Sequence, residues 1–283
     1  MTDHMIFETH AHFDDEAFDT DREALIASLP FKGISPVINV CSSAASLDTT
    51  LALAEKYPYI YGAFGFHPDN AAEMTDEQFQ KLSGLCGHPK AAAVGEIGLD
   101  YYVPAWAKDD PEADFGAREE SGRELQRSCF RRQLELARSA GLPVIIHSRD
   151  ACRDTLQIAK ETDLGSVGGV MHCFSYSRET AAEYLDMGIY LGIGGVVTFK
   201  NGRKLREIVE YMPLSQLLLE TDCPYLAPEP KRGTRNSSLN LYYIAQKVAE
   251  IRGKTTAEII DITRENAERC FPKACAAEKT GNI

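Results

Sequence analysis

The stretch ELQRSCFRRQLELARSAGLPVIIHSRD (124–150) contains a helix pattern followed directly by a strand pattern. Apolar residues such as Leu125, Cys129 and Leu134 recur close to a 3.6-residue period, and Gly141 stands where a helix C-cap belongs. The next residues, LPVIIH, form a short β-branched run that ends in polar residues. This order predicts a helix that leads into a buried strand of a parallel sheet.

The same alternation of apolar runs and amphipathic stretches extends over most of the chain. The eight apolar runs are MIFETHAH (5–12), GISPVINVCS (33–42), YIYGAFGFHP (59–68), AAAVGEIGLD (91–100), LPVIIHSRD (142–150), GGVMHCFS (168–175), GIYLGIGG (188–195) and QLLLETDCP (216–224). Eight strands that alternate with helices favour a (β/α)₈ barrel, and no GxGxxG motif follows the first run to suggest a doubly wound sheet. We predict an α/β fold, a single-domain TIM-like (β/α)₈ barrel over residues 1–272. Terminal helices are expected within 237–270, and a polar C-terminal tail over 273–283.

Composition limits the compartment and the partners. The 283 residues carry a formal net charge of −12, which argues against broad electrostatic attraction to nucleic acid or to an anionic membrane, although a local basic mouth stays compatible with it. The eight cysteines form no CxxC pair and are typical of reduced thiols. We see neither a signal peptide nor an apolar run of membrane-span length. A cytoplasmic protein is therefore expected.

Side chains that bind metals gather at the ends of the predicted strands. His10 and His12 in THAH (9–12) are one residue apart, so a strand that continues through residue 12 points both imidazoles to one side. A barrel brings all its strand C-terminal ends to one face, where so many ionisable groups would be costly to bury without a shared cation. The predicted metal ligands are His10, His12, Glu96, His147, His172 and Asp222.

Six ligands suit two metal ions better than one, because a catalytic zinc-type ion uses about three protein ligands and keeps one position open. The expected division is His10, His12 and Asp222 on one ion, His147 and His172 on the other, and Glu96 as the bridge. Two such ions activate a water for in-line displacement. Asp222 and Glu96 are the predicted catalytic residues, and Asp222 is the proton acceptor. The ligands are compatible with two divalent ions whose identity (Zn, Mn, Mg, Fe or Ni) stays open, although Mg²⁺ prefers oxygen ligands.

Six ordered motifs resemble those of the TatD-type metal-dependent deoxyribonucleases of the amidohydrolase superfamily. They are THAH, GFHP, VGEIGLDYY, LPVIIHSRDA, MHCFS and LLLETDCPYLAP, and the resemblance spans residues 6 to about 270. The resemblance implies a TIM-like barrel, divalent metals and hydrolysis of DNA phosphodiesters, commonly from a 3′ end. It also implies the same six metal ligands. Glu8 departs from the aspartate usual before the HxH pair, and the stretch 103–123 is longer than usual.

Four further residues are candidate substrate contacts. The resemblance implies this role for His67 in GFHP and for Arg149 after the fifth strand. Arg235 lies in the basic loop after the eighth strand, and barrels often bind phosphate with the loops after strands seven and eight. Trp106, the only tryptophan, lies in the acidic stretch 103–123 after the fourth strand, where it could stack on a base while the acidic residues exclude a duplex.

The leading interpretation is thus a metal-dependent 3′–5′ exodeoxyribonuclease that acts on single-stranded or frayed DNA through a water activated by two metals. A deacylase of mischarged aminoacyl-tRNA, or another ester or amide hydrolase on the same barrel, is the alternative. A metal-binding interaction protein without turnover is a third reading, which the complete ligand set disfavours. We expect DNA, mainly single-stranded, as the substrate, no membrane association, and no obligate protein partner.

Overall fold

Eight parallel strands follow one another around a nearly closed barrel in the computed structural model, which describes residues 4–103 and 119–275. Each strand pairs with its neighbour in the sequence, in the order β1 to β8. The strands are β1 Ile6–Ala11, β2 Ile34–Val40, β3 Ile60–Phe64, β4 Ala91–Asp100, β5 Val144–Arg149, β6 Gly169–Met171, β7 Tyr190–Ile193 and β8 Leu217–Leu219. Every predicted run contains one of these strands, so the predicted barrel is confirmed.

Helices alternate with the strands and cover the barrel. They are α1 Arg22–Ser28, α2 Ala44–Lys56, α3 Asp76–Cys86, α4 Glu120–Ala140, α5 Cys152–Glu161, α6 Leu164–Val167, α7 Arg178–Asp186, α8 Arg203–Tyr211, α9 Leu241–Arg252 and α10 Thr256–Cys270. The last two lie within the range predicted for terminal helices. No helix of the described residues is both long and apolar enough to cross a membrane.

Helix α4 ends as its sequence predicts. Gly141 adopts a left-handed conformation (φ 64°), which a residue without a Cβ reaches at little cost, and it closes the helix before β5. Cys129 and Leu134 are buried against the barrel. Leu125, which the periodicity predicts to be buried, is instead 43% exposed, so the buried face of α4 is narrower near its N-terminus.

The barrel closes between β1 and β8 through few backbone contacts and one buried carboxylate. The His12 N–H donates to the Cys223 carbonyl at 2.8 Å, and the Asp222 N–H donates to the His10 carbonyl at 3.0 Å. The Glu8 carboxylate accepts the Thr221 N–H and O–H at 2.9 and 2.6 Å. Closure therefore holds the end of β1 beside the segment that follows β8.

The C-terminal turn Pro272–Cys275 packs as part of the fold. Ala274 and Cys275 are buried in an apolar cluster with Phe7 and Phe271. The domain boundary predicted at residue 272 falls within this turn. The turn packs with the barrel because its small apolar side chains are buried in that cluster. The rest of the predicted tail lies outside the described residues, as do Trp106 and the acidic residues beside it.

Candidate metal centre

The carboxyl ends of the strands open into a cavity of about 1130 Å³. His12, Glu96, His147, His172 and Asp222 line it, and His10 lies beneath them with its side chain buried. The six residues come from β1, β4, β5, the end of β6 and the segment after β8. The structure therefore brings together all six predicted ligands.

The first ligand group comprises His10, His12 and Asp222. The His10 Nε2 and His12 Nε2 atoms are 3.0 Å apart, and Asp222 Oδ1 lies 3.4 Å from His12 Nε2 and 3.8 Å from His10 Nε2. The His12 Nδ1–H donates to the Val40 carbonyl at 2.8 Å, so that in the neutral ring Nε2 is the nitrogen without a proton. This nitrogen faces His10 Nε2 at a separation where two lone pairs repel one another unless a cation lies between them.

The second ligand group comprises His147 and His172. The His147 Nδ1 atom lies 2.9 Å from Glu96 Oε1, and the His172 Nε2 atom lies 3.2 Å from the same oxygen. The other carboxylate oxygen, Glu96 Oε2, lies 3.5 Å from His10 Nε2 and 3.8 Å from His12 Nε2. Glu96 thus presents one oxygen to each group, which is the arrangement that a bridging ligand requires.

These separations fit divalent metals. Ligand atoms about 2.1 Å from a tetrahedral ion lie roughly 3.4 Å from one another. The distances among His10, His12 and Asp222, and those from Glu96 to His147 and His172, are close to this value. His10, Glu96 and His172 offer one possible set of ligand atoms, and His10, His12 and Asp222 offer another. The nitrogen and carboxylate donors suit Zn²⁺, Mn²⁺, Fe²⁺ or Ni²⁺. The residues present therefore fit the binding of divalent metal.

The electrostatics of the cluster also favour a cation. Burial opposes a charged His12 imidazole, but its hydrogen bond with Asp222 and the charge of Glu96 outweigh burial and raise the pKa to about 10. Burial likewise opposes a charged His147, but Asp100 and Glu96 raise the His147 pKa to about 10. Burial opposes the charged form of Glu96 as well, yet His172 and His10 hold its pKa well below the usual value. The carboxylates therefore favour positive charge beside His12 and His147, as a bound cation would supply.

Two predicted substrate contacts lie in the wall of the cavity. His67 accepts the Asp69 N–H on Nδ1 at 3.1 Å, so its ring proton is on Nε2. Burial, together with the charge of His147, lowers the His67 pKa to about 3, so the ring is neutral. The Arg149 guanidinium lies 3.6 Å from the centre of the Tyr102 ring. Both positions are compatible with the predicted roles, which stay predictions.

Arg235 does not line the main cavity but lines a smaller pocket beside it, and Asp15 and Tyr225 contribute to both. Its guanidinium makes two hydrogen bonds of 2.7 Å to the Asp21 carboxylate and a third to the Ala17 carbonyl. Arg206, in helix α8, donates to the Val197 and Phe199 carbonyls. Among the described residues that line the main cavity, Arg149 is the one arginine or lysine. These two arginines thus make structural contacts, and a phosphate role for Arg235 stays a prediction.

Three residues of the site were not singled out from the sequence. Asp100 Oδ2 lies 3.0 Å from His147 Nε2, and Glu220 Oε1 lies 3.2 Å from His172 Nδ1. Asp100 lies four residues after Glu96, and Glu220 lies two residues before Asp222. Because alternate residues of a strand share a face, this even spacing is the sequence signal for both. Tyr225 lines the cavity with 54% of its surface exposed, and its hydroxyl donates to Asp15.

A (β/α)₈ barrel with two adjoining histidine–carboxylate groups at its strand ends defines the class of metal-dependent barrel hydrolases. The chain belongs to the TatD related DNase family, whose model matches residues 7–272. The family resemblance predicted from the six motifs is therefore confirmed, and the chain is an enzyme of a hydrolytic family.

Individual relatives agree with this assignment. The chain is 41% identical to the uncharacterized metal-dependent hydrolase YabD of Bacillus subtilis, over 94% of this chain and 99% of YabD. It is 33% identical to the 3′-5′ ssDNA/RNA exonuclease TatD of Cronobacter sakazakii, over 95% of this chain and 98% of that protein. The crystal structure of YjjV, a TatD homologue from Escherichia coli, matches with a TM-score of 0.83 and 30% identity, covering 94% of this chain and 98% of YjjV.

Proposed function

We propose that this chain is a 3′–5′ exodeoxyribonuclease that hydrolyses phosphodiester bonds of single-stranded or frayed DNA with two divalent metal ions. The observation that supports this proposal most directly is the position of Glu96. Its Oε1 atom faces His147 and His172, and its Oε2 atom faces His10 and His12. A carboxylate shared by two ligand groups supports a paired-metal hydrolase rather than a single structural ion.

The chain's own residues have distinct roles in this proposal. When bound, the two ions would activate a water and neutralise charge on the phosphate as the P–O bond breaks. The Asp222 side chain lines the cavity and is 15% exposed, against 4% for Glu96, so Asp222 reaches the substrate side and would accept the proton of the attacking water. Neutral His67, with its proton on Nε2, would donate a hydrogen bond to a phosphate oxygen.

A nucleic acid strand is the substrate class that the cavity and the relatives favour. The Cronobacter sakazakii relative is named as an exonuclease on single-stranded DNA and RNA. Arg149 offers a positive charge on the cavity wall, and the exposed ring of Tyr225 offers a surface on which a base would stack. With a net charge of −12, the chain would depend on these local contacts rather than on long-range attraction.

End-labelled oligonucleotides test the proposal. The purified protein, supplied with Mn²⁺, Zn²⁺ or Mg²⁺, is given a 40-mer labelled at the 5′ end, and the product ladder is followed in time. We expect stepwise shortening from the 3′ end, faster on a single strand than on a blunt duplex, and none with Glu96→Gln. Matched RNA and a mischarged aminoacyl-tRNA are assayed in parallel. Faster release of the amino acid than of nucleotides would favour the deacylase alternative and contradict the proposal.

A further inference from the structure

The two histidines of the second ligand group each face a carboxylate on the ring nitrogen that points away from Glu96. His147 places Nδ1 at 2.9 Å from Glu96 Oε1 and Nε2 at 3.0 Å from Asp100 Oδ2. His172 uses the opposite nitrogens, with Nε2 at 3.2 Å from Glu96 Oε1 and Nδ1 at 3.2 Å from Glu220 Oε1. Asp100 therefore favours a proton on His147 Nε2, which in the neutral ring leaves a lone pair on the nitrogen that faces Glu96. Glu220 lies within ion-pair distance of His172 Nδ1 but makes no hydrogen bond of regular geometry with it, so it acts on that ring through its charge.

The first ligand group has no such partners. The His12 Nδ1–H donates to a neutral backbone carbonyl, that of Val40. The His10 Nδ1 atom is buried and has no hydrogen-bond partner within residues 4–103 and 119–275. An imidazole that donates to a carboxylate is more basic at its other nitrogen than one that donates to a carbonyl. The two groups thus differ in the electron-donating strength of their histidines.

Both outer carboxylates are held firmly in place. Glu220 is fully buried and accepts the Cys173 N–H at 2.6 Å. The neighbouring strand leaves room for it with Gly192, because a Cβ at that residue would lie 2.1 Å from Glu220 Oε2. The Asp100 backbone makes two hydrogen bonds with the Gln126 side chain, and its Oδ1 atom accepts the Tyr102 N–H at 2.8 Å. Neither side chain is free to turn away from its histidine.

The negatively charged side chains are also placed differently in the two ligand groups. A dication in the first group would face two carboxylates directly, Asp222 and Glu96. In the second group, Glu96 Oε1 lies 2.9 Å from His147 and 3.2 Å from His172, and Asp100 and Glu220 add negative charge on the far side of each imidazole ring. Buried charges require compensation of this kind.

We propose that Asp100 and Glu220 are positioning residues that set the metal affinity of the second ligand group and leave that of the first group unaffected. The proposal rests on the two-metal arrangement of the proposed function but not on its substrate. Outer carboxylates of this type typically alter metal affinity by about 10–100-fold.

Zinc titration of a one-site protein tests this proposal. His12→Ala removes one ligand of the first group, so chelator-treated His12→Ala protein reports Zn²⁺ binding to the second group alone, by calorimetry and by elemental analysis after dialysis. In this background, Asp100→Asn and Glu220→Gln keep the side-chain shape and remove the charge. We expect the Kd for Zn²⁺ to rise about 10–100-fold in each. In the otherwise wild-type chain, the same variants should retain one tightly bound zinc ion and recover hydrolytic activity when excess metal is added.

Glu8→Gln is the matched control. Glu8 is as deeply buried as Glu220 and lies on the adjoining strand, but its carboxylate contacts Thr221 and the His10 backbone rather than a ligand ring. We expect it to leave the zinc Kd of the second group unchanged. Equal Kd values for Asp100→Asn, Glu220→Gln and Glu8→Gln would overturn the proposal. Should Glu220→Gln fail to fold, Asp100→Asn, which removes the charge facing His147, tests the proposal by itself. Because the titration contains no substrate, its result is independent of whether the protein cleaves DNA.

Discussion

The buried carboxyl of Glu8 should make the stability of the barrel depend on pH in a measurable way. Burial raises the Glu8 pKa from 4.5 to about 7, against the opposing hydrogen bonds from Thr221 and His10. The folded state therefore binds this proton more tightly than the unfolded state does. Its contribution to the free energy of unfolding is fully present below pH 4.5 and is lost as pH rises through about 7. A difference of this size corresponds to about 3 kcal/mol.

Glu8→Gln removes this dependence, since an amide does not ionise and retains an oxygen that accepts the N–H groups of Thr221 and His10. Relative to wild type, the variant should gain about 2–3 kcal/mol in free energy of unfolding between pH 5 and pH 8.5. Urea denaturation of both proteins in the presence of a chelator, at half-unit pH intervals, measures the difference. The histidines titrate equally in both proteins and cancel. A difference that stays constant across this range would refute a raised Glu8 pKa.

Substitutions at five other residues test the site and the proposed substrate contacts. Glu96→Gln and His147→Ala should each abolish turnover and lower the bound metal content while the circular dichroism spectrum is retained; wild-type rates in either would contradict the site. Arg235→Ala should raise KM on single-stranded DNA and flatten the log–log salt slope by about 0.7, whereas an unchanged slope would assign Arg235 to its loop contacts alone. Tyr225→Leu, unlike Tyr225→Phe, should weaken binding of a short single strand to metal-free enzyme about tenfold, as the loss of one stacked base predicts. Quenching of Trp106 fluorescence in the same titration would support stacking on that residue. The absence of quenching, together with an unchanged affinity in Trp106→Ala, would refute it.

The barrel could be predicted because its determinants are local. In a parallel barrel each strand pairs with the next strand along the chain, so the alternation of β-branched runs and amphipathic stretches is sufficient to predict both the elements and their order. The end of helix α4 is also determined locally, because its 3.6-residue period and Gly141 predict that the helix ends at that glycine. Leu125 shares the apolar period of α4 yet is exposed, because periodicity predicts the side of a helix but not where a neighbour stops covering it.

The convergence of His10, His12 and Glu96 with the other ligands was also determined by sequence alone. Alternate residues of a strand share a face, and all strand ends of a barrel share an edge, so residue spacing is sufficient to place these groups together. The same period could have marked Glu220, two residues before Asp222, and Asp100, four after Glu96.

Tertiary structure alone decided how the ring nitrogens and charges pair. The direction of an imidazole depends on groups that are distant in sequence: His147 turns Nε2 to Asp100, 47 positions away, and His172 turns Nδ1 to Glu220, 48 positions away. Arg235 is likewise engaged by Asp21, 214 positions away. Local patterns contain no information about such partners, because hydrogen bonds and ion pairs act over a few ångströms of space whatever the separation along the chain.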